Sequence, residues 1–66
     1  SASLSSEAVT EAEDAVAKIN RGHEKIGLSP RGAYIRHLQH IIAEDNGISS
    51  SSTGVDPSRY VLVYRD

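Results

Sequence analysis

No cysteine occurs anywhere in the 66 residues, and that absence constrains the fold more tightly than any other feature. A chain this short buries a small core, and domains of its size commonly lean on disulfides or metal clusters to stay folded. Without cysteine there is no disulfide framework, no thiolate zinc cage and no thiol nucleophile. Packing between regular elements therefore has to close the core unaided. No apolar run approaches the ~20 residues needed to cross a bilayer, and the opening lacks the charged-then-apolar order of a secretory leader. Residues 1–4, from "SASLSS", read as a tail or remnant, and residues 5–66 as one domain excised from a larger protein.

The apolar spacing supplies the elements. Val9, Ala12, Val16 and Ile19 mark one buried face of a helix over residues 5–21, with Ser5 as N-cap, Leu4 and Val9 as a hydrophobic staple, and Gly22 as the stop. Residues 23–28, "HEKIGL", read as a brief strand. Ser29-Pro30 signals a second helix, Ser as N-cap and Pro in the first turn, that runs to about Asp45 and stops at Gly47. "ISSSS", residues 48–52, is a weak strand, "TGVDPS" has turn chemistry, and "RYVLVY", residues 59–64, is the strongest strand. Two helices and three short strands in this order predict an α+β sandwich of two layers, with a small, mainly antiparallel sheet.

The formal charge of −2 argues against a strong, indiscriminate nucleic-acid binder, but the charge is unevenly spread. Residues 1–17 hold Glu7, Glu11, Glu13 and Asp14 and no base. Residues 18–40 hold Lys18, Arg21, Lys25, Arg31, Arg36 and the three histidines against the single acid Glu24. Local clustering of this kind sets an electrostatic footprint more than the total does.

The second helix concentrates this chemistry. With Arg36 set to zero and 100° per residue, Tyr34, Ile35, Leu38, Ile41 and Ile42 span about 140° to 260°. Arg36, His37 and His40 fall between 0° and about 100°. The pattern therefore predicts Arg36 and His40 one turn apart on a wet face, opposite the core. His37 and His40 alone make a poor metal site, because a protein site usually needs three or four ligands and only His23 remains. No nucleophile elbow, phosphate-binding loop or Cys–His pair is present, so an enzyme is not expected. Phosphate contact suits the pair better. Arginine offers a planar fork of donors, and histidine adds a donor or an acceptor. A merely solvated helix face fits the same pattern.

Beyond the pair, an ordered set of motifs over residues 24–64 resembles the R-3-H domain, named for an Arg and a His separated by three residues. Here that pair is Arg36-His37-Leu38-Gln39-His40. "LSP" at 28–30 is similar to the family's Leu-Pro-Pro lead-in, and "YIRHLQHIIAEDNGI" to its helix and following turn. "SSSSTGVDPSRYVLVY" is similar to its Ser-x-Ser-x-Gly-x-x-Pro-x-Arg-x-Val-x-Val hairpin. Ser29 departs from the first proline, and Val55 stands where an acidic residue is common. "SPRGAYIRHLQH" is also similar to the subset of these domains attached to P-loop ATPases of cyanobacteria and plastids.

The resemblance implies a three-stranded sheet with two helices on one side and binding of single-stranded DNA or RNA. It implies no cofactor and places Arg36, His40 and Arg59 at the contact, with Arg31 at the helix start and Lys25 as a weaker candidate. In the last strand, Val61 and Val63 are expected to face the core, which leaves Tyr60 and Tyr64 on the open sheet face, where tyrosines can stack on bases. An intracellular site (cytoplasm, nucleus or plastid), a monomer and a parent protein with further domains complete the expectation. Its rival is a docking module within that parent, using the acidic first helix or the open sheet face.

Overall fold

The computed structural model describes the backbone of residues 2–66 and the side chains of residues 5–66. Its elements are α1 (Ala2–Asn20), β1 (Lys25–Gly27), α2 (Ala33–Asp45), β2 (Ser49–Thr53) and β3 (Tyr60–Tyr64). The strands form one antiparallel sheet in the order β1-β3-β2. Both helices pack on the same face of it, giving the expected α+β sandwich of two layers. Among the described residues, no helix is long and apolar enough to cross a membrane.

β3 takes the centre because it alone is rich in β-branched and aromatic side chains, which suit a pleated surface covered on one side. Val61 and Val63 point under the helices and are fully buried, each worth roughly 1.5–3 kcal/mol relative to exposure. Tyr60, Leu62 and Tyr64 alternate onto the open face and are half-buried. The register sets Val63 opposite Ile26 and Ser50, and Val61 opposite Ser52. By the period of two, Ser50 and Ser52 share the helix-facing side with the valines.

α1 buries Ala8, Ala12, Ala15, Val16 and Ile19, which includes most of the anticipated stripe, with small alanines facing α2. It begins at Ala2, so Ser5 lies inside the helix and does not cap it. Serine costs only about half a kcal/mol relative to alanine within a helix, too little to stop propagation. The staple partner Leu4 has its side chain outside the described residues. Both helices end as the glycines require. His23 N–H donates to Lys18 O and Gly22 N–H to Ile19 O; Ile48 N–H donates to Ala43 O and Gly47 N–H to Glu44 O. Each is the paired bond set of a Schellman stop. Gly22 and Gly47 take φ of 116° and 71°, a region closed to most side chains.

Two expectations for α2 fail. Its N-cap is Gly32, with no side-chain cap bond, because Ser29 is engaged elsewhere: its N–H and Oγ both donate to Glu11 Oε2, at 2.8 and 2.7 Å. Pro30 consequently lies in the connection, and Arg31 precedes the helix instead of opening it. The larger correction concerns which way the helix faces. Its buried residues are Arg36, Gln39 and Ala43, centred near 330° on the scale that puts Arg36 at zero. Of the anticipated apolar arc, Ile35, Leu38 and Ile42 are only half-buried, while Tyr34 is 70% and Ile41 38% exposed. Arg36 and His40 thus lie on the side of α2 turned toward α1 and the sheet, not on a wet face. Partners offset part of the burial of polar groups there: Gln39 Nε2 donates to Ala8 O across the helix pair at 3.2 Å, while Gln39 Oε1 is buried without a partner.

Candidate functional site

Arg36 is 8% exposed, and its position is set by the residues just before and well after it. Its Nη1 donates to Arg31 O, which anchors the guanidinium to the loop entering α2. The same nitrogen stands 3.3 Å from Asp56 Oδ1. Asp56 sits in the β2–β3 turn with its side chain 74% exposed. The head of Arg36 is therefore enclosed by protein on one side and reached by a solvated carboxylate on the other.

Backbone pairing brings two further arginines to this edge. Beyond β1 the chain continues alongside β3, with Leu28 N–H donating to Val61 O and Arg31 N–H to Arg59 O. That extension delivers Arg31 next to Arg59, although 28 residues separate them in sequence. Arg31 Nη2 pairs with Glu11 Oε1 at 3.3 Å. Arg59 braces the turn, its Nη1 on Gly54 O at 2.7 Å and its Nη2 on Ser52 O at 3.4 Å. Carbonyl oxygens hold a guanidinium without neutralising it, so Arg59 keeps its full charge.

Glu11 accepts from Ser29 twice and from Arg31 once. Burial by itself raises its pKa, but the Ser29 and Arg31 hydrogen bonds outweigh that and leave the carboxyl below the ordinary value.

His40 occupies the seam between α2 and β2. Nδ1 lies 2.7 Å from Ser50 Oγ and Nε2 lies 2.8 Å from Ser52 Oγ. A neutral imidazole satisfies both hydroxyls, accepting from one and donating to the other. Burial, and then the nearby charges of His37 and Arg36, hold its pKa below the ordinary 6.5, so the neutral form dominates at pH 7. His40 also lines a surface depression of about 450 Å³ with Glu44, Ser49, Ser50 and Tyr64.

The structure thus brings Arg31, Arg36 and Arg59 to the end of the sheet where the chain enters α2 and leaves the β2–β3 turn, with His40 on the α2–β2 seam beside Ser52, whose carbonyl Arg59 contacts. It does not bring Lys25 or Tyr60 there. Lys25 lies on β1, the opposite edge strand, and by alternation shares the open face with Tyr64 and Leu62. Tyr60 is on that open face too, and its ring covers Gly27, where an added Cβ would stand 3.1 Å from Tyr60 Cε2.

Ser50, Ser52, Glu11 and Asp56 were not among the residues read from sequence as part of the site. For the serines a signal existed, since the alternation that buries Val61 and Val63 turns every second β2 residue toward α2. For Glu11 and Asp56 there was none, because both act across long sequence separations. Among the described residues, no group of three or more His, Asp or Glu is placed to hold a metal ion.

A family model described as the R-3-H domain matches residues 7–65. No curated protein matches the chain.

Proposed function

The chain belongs to the R-3-H domain family, whose members are generally nucleic-acid-binding domains, and on that premise we propose that it binds single-stranded DNA or RNA through backbone phosphates. The phosphates would lie along the edge lined by Arg31, Arg36 and Arg59. The observation that carries this reading is the approach of Asp56 to Arg36. An anionic oxygen on a side chain 74% exposed comes within 3.3 Å of a guanidinium whose inner side is held by Arg31 O. A phosphate oxygen has the same charge and acceptor chemistry and can use the same approach. Arg59, tied only to carbonyl oxygens, extends the positive edge, and Arg31 adds donors there although Glu11 offsets its charge.

In this reading His40 contributes through the serines it orders: both ring nitrogens are engaged by Ser50 and Ser52, and the hydroxyl that accepts from the ring N–H is free to donate to a phosphate oxygen. Protonation below its lowered pKa adds charge. The module is an accessory binder with no catalytic role, and it acts as a monomer for a larger parent protein.

A second reading, docking onto another protein domain, draws on the exposed Tyr34 and Ile41 of α2. Fluorescence anisotropy with labelled single-stranded oligonucleotides at several salt concentrations separates the two. Three arginine–phosphate contacts give a log–log salt slope of about −2, at roughly −0.7 per phosphate neutralised, and Arg59→Gln makes it shallower by one such contact. Absence of binding, or an affinity independent of salt, refutes the phosphate reading.

A further inference from the structure

Two carboxylates face the arginine edge, and they are built differently. Glu11 spans α1 and the loop before α2 with three hydrogen bonds, two from Ser29 and one from Arg31. Its removal would break a connection between elements. Asp56 makes one contact, at 3.3 Å, to an Arg36 nitrogen that already donates to Arg31 O. The Asp56 side chain is 74% exposed, whereas that of Arg36 is 10% exposed. Arg36 is therefore positioned without Asp56, and Asp56 is free to leave for solvent at little cost.

Resting on the phosphate reading above, we propose that Asp56 is an intramolecular competitor for the incoming phosphate. In the free domain its carboxylate covers the solvent-facing side of Arg36; in the bound domain a phosphate oxygen replaces it, and the β2–β3 turn carries Asp56 away. Asp56 therefore sets the affinity of the site, weakening it against isolated or low-density anions. A ligand making several contacts at once, with Arg31 and Arg59 as well as Arg36, can displace the carboxylate. Glu11 is no such competitor, because its three bonds tie it to the scaffold.

The test measures binding of a labelled oligothymidylate to wild type, Asp56→Asn, Asp56→Ser and Asp56→Glu, with Arg36→Ala as reference. Removing a repulsive charge that also forms an exposed ion pair is expected to tighten binding about two- to five-fold at low salt. The gain should shrink at an ionic strength of about 0.15 M, where exposed charges are screened. Asp56→Glu should bind as wild type does, which a purely steric role of the side chain would not produce.

Circular dichroism melting of each variant reports folding, and the serine variant serves if the asparagine variant is unstable. Equal or weaker binding by both neutral variants, with Arg36→Ala still impaired, overturns the competitor role and leaves the phosphate site standing. Failure of wild type to bind, or indifference to Arg36→Ala, removes both.

Discussion

Replacing Arg36 with methionine tests whether a residue read for binding is also part of the scaffold. Methionine keeps most of the apolar stem, so the packing of that stem between α1 and the sheet is largely retained. What is lost is the bond from Nη1 to Arg31 O. A hydrogen bond from a charged donor contributes about 1.5–3 kcal/mol when its partner is then left unsatisfied. The Asp56 contact adds little, since that carboxylate is 74% exposed and exposed pairs are worth about 0–1 kcal/mol.

The expected cost is thus about 2–3 kcal/mol, out of a total near 3–10 kcal/mol for 66 residues at roughly 0.05–0.15 kcal/mol each. For a domain of this size the cost corresponds to a fall in Tm of about 10–20 °C. Urea denaturation followed by far-UV circular dichroism measures it, and Arg36→Lys, with its charge kept but its fork lost, should fall between wild type and methionine. A methionine variant with the wild-type midpoint would refute the claim that the Arg31 carbonyl anchors this side chain.

Two further outcomes follow from the same geometry. His40 is held below its ordinary 6.5 by burial and by His37 and Arg36, so the unfolded chain takes up its proton first as pH falls. Its contribution to stability is therefore complete above about 6.5 and declines as pH drops from there toward the lowered folded value; His40→Gln should flatten that part of a urea-midpoint profile. Gly47→Ala should cost about 1–2 kcal/mol from the left-handed backbone alone, because φ is 71° and nothing lies within 4 Å of the added Cβ; a neutral result in thermal melts would contradict the Schellman stop.

The element order and the glycine stops were legible in the sequence because each depends on local chemistry, and alternation set Val61 and Val63 on one face of the last strand, with the family resemblance marking that face as the core. The face of α2 was not legible. Counting apolar residues pointed to Tyr34 and Ile41, yet α2 is covered by α1 on one flank and the sheet on the other, and the side it buries carries Arg36 and Gln39. Arg31 O and Ala8 O accept from those side chains and offset part of the cost of their burial, and the sequence does not display such partners.

The start of α2 was misplaced for a related reason. Ser29 has the chemistry of an N-cap, but Glu11, 18 residues away in sequence, takes both of its donors. For the candidate site, the family resemblance named Arg31, Arg36, His40 and Arg59 as residues to examine. The site's arrangement was not legible, since the pairing of residues 28–31 along β3 creates it.

The most direct test of the central claim is a titration of the ¹⁵N-labelled domain with single-stranded DNA and RNA, followed by amide and arginine side-chain NMR shifts. The phosphate-edge account predicts the largest changes at Arg31, Arg36, His40, Ser52, Gly54 and Arg59, with arginine Nε–H signals moving with the amides. Changes confined to the open face around Lys25, Leu62 and Tyr64, or to the outer side of α2 at Tyr34 and Ile41, would contradict it.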